Sequence, residues 1–121
     1  ADKQETILNS GFGSRAFAAS RDQQRFAIFY YAWVYLYSRG SKDPLWQTKN
    51  EFHEVANLVF SPDKAFIAAE ARDWRILLDA SNGSLAGQLP GSGPISFGPD
   101  SRTIATGEKD GSILIWKILR P

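Results

Sequence analysis

An all-β fold of repeated, short antiparallel strands is what this 121-residue chain predicts, on three observations. Helical periodicity is missing, because turn residues interrupt every window of about 11 residues that might keep a 3.6-residue apolar period. β-Branched and aromatic residues gather instead in short runs, such as residues 33–37 (WVYLY) and 112–116 (SILIW), which suit a pleated, half-buried surface. One pattern also recurs: residues 17–22 (FAASRD), 58–63 (LVFSPD) and 95–100 (ISFGPD) are each followed by a second apolar run, at 25–28 (RFAI), 65–68 (AFIA) and 103–106 (TIAT). Asp22, Asp63 and Asp100 stand 41 and 37 residues apart. That spacing is nearer the roughly 40-residue period of a four-stranded unit than the roughly 33 of helical repeats.

Within each unit the two runs read as strands paired across a tight turn. Ser61-Pro62-Asp63-Lys64 and Gly98-Pro99-Asp100-Ser101 place Pro, with its preset φ, at the second turn position and beside it an Asp able to bond nearby backbone. A third strand follows at residues 33–37, 75–78 (RILL) and 112–116, the last introduced by Lys109-Asp110-Gly111-Ser112, whose Asp-Gly pair predicts a two-residue hairpin. A weaker fourth strand is expected at 85–89 after Ser81-Asn82-Gly83, with its counterpart at 44–47 (PLWQ). Asn82-Gly83-Ser84 is also a glycosylation sequon, but Asn-Gly favours a turn. Residues 5–8 (ETIL) read as an outer strand ahead of Gly11-Phe12-Gly13. The expected division is therefore 1–16 as outer strand and loop, 17–54, 55–92 and 93–121 as three units, the last lacking its outer strand.

Composition removes most chemistries. Fourteen Lys and Arg against 13 Asp and Glu leave a formal charge of +1, spread along the chain, so no nucleic-acid partner and no anionic-membrane footprint is expected. With no Cys and one His, thiol catalysis, disulfides and Cys-based zinc sites are excluded. The longest apolar run, residues 26–37, is far below the roughly 20 residues of a spanning helix, so no membrane insertion is expected. Met is absent even from position 1, so Ala1 reads as a processed or trimmed end. Ala-Asp-Lys fits a signal-peptidase product or a fragment boundary, with a cytoplasmic location ahead of a secreted or periplasmic one.

Val55, Leu58, Phe60-Ser61-Pro62-Asp63 and Ile67-Ala68-Ala69, together with Asp110-Gly111-Ser112-Ile113-Leu114-Ile115-Trp116, resemble the WD-repeat family of β-propellers. The resemblance runs from about Phe17 to the end. It implies four-stranded blades and a structural tetrad of His, Ser or Thr, Asp and Trp. Thr106, Asp110 and Trp116 match three of the four in the last unit; Gly91 and Gly93 lie where the His would be, and Lys117 follows Trp116 where the family usually has Asp. In the second unit Ala69 stands at the Thr106 position, and His53 lies about two residues short of the family spacing. Residues 34–46 also look like the quinoprotein type of propeller repeat. Three blades fall short of the roughly four to eight of closed rings, so the resemblance implies a protein partner or a second copy supplying the missing blades.

Catalytic candidates are thin. Gly11-Phe12-Gly13-Ser14-Arg15-Ala16 fits the dinucleotide fingerprint G-x-G-x-x-A, but no βαβ unit or acidic second-strand residue accompanies it, and a glycine-rich loop is the preferred reading. His53 between Glu51 and Glu54 suggests acid-base work only if a nucleophile motif joins it, and none does. Single Asp residues on separate turns do not make a calcium loop. The chain is expected to be no enzyme, without cofactor or metal. The aromatic run Phe29, Tyr30, Tyr31, Trp33, Tyr35, Tyr37 alternates, with Trp33, Tyr35 and Tyr37 on one face and Val34 and Leu36 on the other. Core packing between sheets is the first reading of that run, and a protein or glycan contact the second. Arg72, Asp73 and Trp74 form a cation and aromatic pair at a turn. The sequence thus points to a non-catalytic interaction module whose partner-binding residues are Phe12, Arg15, Tyr31, Phe52, His53, Arg72 and Trp74, the alternative being a small-ligand or glycan-binding propeller.

Overall fold

The computed structural model describes residues 16–49 and 55–119. Among these no helix occurs, and eleven strands form three antiparallel sheets. The first sheet runs β1 (Ala16–Ala19), β2 (Arg25–Tyr30), β3 (Trp33–Ser38) and β4 (Trp46–Lys49) in chain order. The second repeats that plan with β5 (Asn57–Phe60), β6 (Phe66–Glu70), β7 (Trp74–Asp79) and β8 (Leu85–Pro90). The third holds β9 (Ile95–Phe97), β10 (Thr103–Gly107) and β11 (Ile113–Lys117). These are blade-like sheets, each a meander in which every strand pairs with the next, and they do not close into a barrel.

The alternation of the strands decides how the sheets stack. Ala27 and Phe29 on β2 pair with Leu36 and Val34 on β3, and these residues, with Ala16 and Ala18, turn toward the second sheet. Its answering face carries Leu58, Phe60, Ile67, Ala69, Ile76 and Leu78, and together they form one buried cluster. Small alanines against branched and aromatic side chains let the two sheets approach closely, leaving a cavity of about 70 Å³ between Val34 and Thr48 on one side and Ala69, Ile76 and Leu78 on the other. Trp46 closes the outer side of this junction: its indole N–H donates to the Ala80 carbonyl at 2.8 Å, and its ring lies against Gly83.

The turns that repeat in sequence repeat in geometry. Ser20 and Ser61 each donate through the hydroxyl to the Asp two residues on, at 2.7 Å, and accept the N–H of Arg25 and Phe66 at 3.0 Å. Asp22 and Asp63 then accept the N–H of Gln24 and Ala65. The third turn has Gly98 in place of the serine. A side chain there would meet the Thr103 hydroxyl, which lies across the turn and reaches the Asp100 carboxylate at 3.4 Å. Thr103 thus supplies from the facing strand the hydroxyl that Ser20 and Ser61 supply from the turn.

Two hairpins depart from the sequence expectation. The loop at Lys109-Asp110-Gly111 has three residues, with Gly111 alone at positive φ (89°) and its N–H bonded to the Glu108 carbonyl. Asp110 stays out of the left-handed region because its carboxylate caps Ser112, accepting both its N–H and its hydroxyl. The tight hairpin with two successive left-handed residues falls instead on Tyr31 (φ 46°) and Ala32 (φ 68°), a place with no glycine to announce it. The fourth strand of the first sheet also begins two residues later than expected, at Trp46, because Leu45 is used up in a turn bond to Leu36.

Candidate functional site

The hairpin at Tyr31 and Ala32, the β6–β7 turn at Ala71 and Arg72, and the segment Ser92, Gly93 and Pro94 before β9 surround an open groove of about 1110 Å³. Each wall comes from a different sheet or its approach, so the groove exists only because the three stack. Phe29 and Val55 lie at its floor and Glu70 on its side. Tyr31 is 71% exposed, and its ring meets Tyr30 edge to face with centroids 4.5 Å apart. A non-glycine residue in the left-handed region costs about 1–2 kcal/mol, and here two successive ones are held there. The strained turn thus keeps Tyr31 exposed where it lines the groove.

The third wall is built around Arg75. This arginine is the second residue of β7, its side chain fully buried, and it donates to the carbonyls of Pro90, Ser92, Gly93 and Gly107 at 2.8–3.3 Å. Gly91 (φ 102°) and Gly93 (φ 138°) let the backbone fold those carbonyls inward around the guanidinium, and a side chain on Gly93 would strike the Gly107 carbonyl. The charge itself is met by Glu108, whose carboxylate oxygens lie 3.3 and 3.4 Å away. Glu108 also accepts the Thr106 hydroxyl at 3.1 Å, and Thr106 accepts the Trp116 indole N–H at 2.9 Å. A continuous polar chain therefore runs Trp116, Thr106, Glu108, Arg75, tying the third sheet to the second behind the groove.

Tyr31 and Arg72, from the sequence-selected residues, come together in the groove, and Arg72 is exposed there. Trp74 does not join them. It opens β7, is half-buried, and packs against the core cluster rather than standing on the turn beside Arg72, because the strand alternation turns it inward. Phe12, Arg15, Phe52 and His53 lie outside the described residues, as do the glycine-rich match at Gly11 and Gly13 and the expected outer strand at residues 5–8. Of the three tetrad matches, Thr106 and Trp116 are bonded to one another, while the hydrogen bonds of Asp110 go to Ser112. Glu108 occupies the acidic place in the network. Sequence reading passed over Arg75 and Glu108; the available signal was one charged residue inside the apolar run Trp74-Arg75-Ile76-Leu77-Leu78, which has to find partners if buried.

Among the described residues no three His, Asp or Glu side chains gather in a way that would hold a metal ion. No protein-family model matches the chain, and no curated protein matches it.

Proposed function

We propose that the chain is a segment of a WD-repeat type propeller acting as a non-catalytic protein-binding module, with the groove between Tyr31 and Arg72 as its contact surface. One observation carries this reading: a strained, glycine-free turn holds a large, exposed aromatic side chain in the lining of a groove that it shares with an arginine from the neighbouring sheet. Tyr and Arg are the residue types over-represented where binding energy concentrates, and strain of this kind is retained where a side chain has to be presented. The repeated Ser-x-Asp turns and the Trp116–Thr106 bond support the blade type. The floor of Phe29, Val55 and Ala71 suits a short apolar anchor, with Glu70 and Arg72 selecting polar flanks.

The test is selection from a displayed random-peptide library on the full chain. Enriched sequences are expected to share an apolar anchor and to lose about tenfold or more in affinity, near 1.4 kcal/mol, on Tyr31→Ser or Arg72→Ala. Failure to enrich any sequence, or enrichment indifferent to both substitutions, rejects the groove as the contact surface. Enrichment failure combined with quenching of Tyr and Trp fluorescence by sugars would favour the glycan-binding alternative.

A further inference from the structure

One residue distinguishes the junction of the second and third sheets from that of the first and second. β2 and β6 each begin with an N–H, of Arg25 or Phe66, bonded to a turn serine, and Ala27 then pairs with Leu36 as Ala68 pairs with Leu77. The fourth strand of each sheet sets Trp46 opposite Leu36 and Gly87 opposite Leu77. Gly87 therefore stands in the second sheet where Trp46 stands in the first.

At the first junction the Trp46 indole reaches the next sheet, donates its N–H to the Ala80 carbonyl at 2.8 Å and lies against Gly83. The cavity left at that junction is about 70 Å³. At the second junction a side chain added to Gly87 would meet nothing within 4 Å, and the cavity is about 280 Å³. Leu77 and Leu89 line it from the second sheet, Ile104, Trp116 and Ile118 from the third. The acceptor has its counterpart too. Ala80 follows β7 with its N–H bonded to the Ala65 carbonyl, and Ile118 follows β11 with its N–H bonded to the Arg102 carbonyl; Ala65 and Arg102 each lie two residues after a turn aspartate. Ile118 is thus to the second junction what Ala80 is to the first.

Size and polarity narrow the occupant. An apolar cavity of about 150 Å³ takes up benzene, and pockets for drug-sized ligands begin near 300 Å³, so this one suits a bicyclic ring and little more. Trp116 offers an aromatic wall whose orientation is fixed, since Thr106 Oγ1 accepts its indole N–H at 2.9 Å. Arg75 also borders the cavity, but its guanidinium is already engaged by Glu108 and four carbonyls, so no anionic group is called for. The geometry points to a binding site for a free indole-class heterocycle, planar, bicyclic and carrying one N–H, seated beside Gly87 between Leu77 and Trp116 with its N–H donated to the Ile118 carbonyl. The ligand takes the place that a side chain of the protein holds one sheet earlier. Tyr31 and Arg72 have no part in it, so the site stands apart from the peptide-binding groove.

Calorimetric titration of the full chain with indole tests it. Saturable binding with a dissociation constant below about 1 mM is expected. N-methylindole, whose nitrogen has no proton to donate, should bind about threefold or more weakly. Gly87 lies outside the left-handed region, so Gly87→Trp meets no backbone strain; it should fill the cavity from within and lower indole affinity about tenfold or more, with an unchanged circular dichroism spectrum. Gly87→Leu, a smaller block, should lower it in the same direction and keeps the test open if the tryptophan variant fails to fold. Tyr31→Ser, which weakens peptide binding at the groove, should leave indole binding unchanged, so either reading can fall alone. No saturation in that range, equal affinity for N-methylindole, indifference to the Gly87 variants, or tighter Gly87-dependent binding of a tryptophan-bearing peptide than of indole overturns the inference.

Discussion

Arg75 and Glu108 meet across the boundary between the second and third sheets, guanidinium to carboxylate at 3.3 Å, with the arginine side chain fully buried and the glutamate 21% exposed. The pair is where packing and site geometry share a cause. The same guanidinium that neutralises Glu108 gathers the carbonyls of Pro90, Ser92 and Gly93, and the segment so gathered is a wall of the groove. Removing one partner of a buried pair leaves the other uncompensated at about 3–5 kcal/mol, and partial exposure of Glu108 puts this pair at the low end.

Arg75→Met should therefore cost about 3 kcal/mol, and Glu108→Gln, which keeps an acceptor for Arg75 and Thr106, only about 1 kcal/mol. Chemical denaturation with an unchanged m-value checks both. The double variant should cost less than the two singles combined, since the glutamine no longer has a charge to strand. Strict additivity would mean the two side chains do not act on each other. Trp116→Phe, which deletes the indole donor to Thr106, should cost about 1 kcal/mol and couple to Glu108→Gln through the Thr106 hydroxyl.

Gly83 and Gly40 separate backbone strain from crowding. Both have positive φ, 79° and 77°, but a side chain at Gly83 would strike the Trp46 ring at 2.6 Å while at Gly40 there is nothing within 4 Å. Gly40→Ala should cost about 1 kcal/mol from backbone alone. Gly83→Ala should cost roughly 1–3 kcal/mol more, because Trp46 has to leave its place and its bond to Ala80. Tryptophan emission should shift to the red only in the Gly83 variant; an equal cost at both sites would mean the outer strands are not in close contact.

The turn carboxylates set the acid limit. Lys64 above all, then the Ser20 hydroxyl and the Gln24 N–H, hold the Asp22 carboxyl well below the usual carboxylate range. Asp79 and Asp110 are held low by the hydroxyl and N–H of Ser81 and Ser112, and Asp100 chiefly by the Arg102 N–H. A folded-state pKa below the unfolded one gives stability that is complete above the unfolded value, near 3.9, and is lost as pH falls toward the folded value. The denaturation midpoint should therefore be flat from about pH 7 to 5 and drop below about pH 4, with Asp22→Asn flattening the drop. A midpoint that holds or rises into acid would refute it. Lys64→Ala should matter little, under about 1 kcal/mol at moderate salt, since both partners are substantially exposed; Ser61→Ala, which strips a fully buried hydroxyl bonded to Asp63 and Phe66, should cost about 1–2 kcal/mol.

The strand pattern was legible because alternation and turn chemistry are local: Val34 and Leu36 against Trp33 and Tyr35 follow from period alone, and Ser61-Pro62-Asp63-Lys64 carries its own turn. What was not legible depends on a neighbouring sheet. Arg75 in an apolar run looks like an error until the carbonyls of another segment close around it, and Glu108 looks like a loop acid until it lies beside that arginine. Asp110 was the network acid that the resemblance implied, and Asp-Gly the signal for a two-residue hairpin, yet one glycine at positive φ made a three-residue loop and left Asp110 to its own turn. Tyr31 was singled out for its side chain, while its backbone conformation, imposed by the tight return of β2 into β3, had no signal in the residues themselves.

That backbone conformation yields the sharpest prediction. Tyr31 and Ala32 occupy the two positions of a turn that Asn-Gly fills without strain, so replacing the pair by Asn and Gly should stabilise the chain by about 1–2 kcal/mol. The same change removes the aromatic ring from the groove lining, so peptide affinity should fall by about tenfold while the denaturation midpoint rises. Ala32→Gly alone keeps the ring and relieves only half the strain, and should stabilise without loss of affinity. If the double replacement destabilises the fold, Tyr31 is part of the packing rather than a presented contact; if it stabilises without affecting affinity, the strain serves something other than the groove.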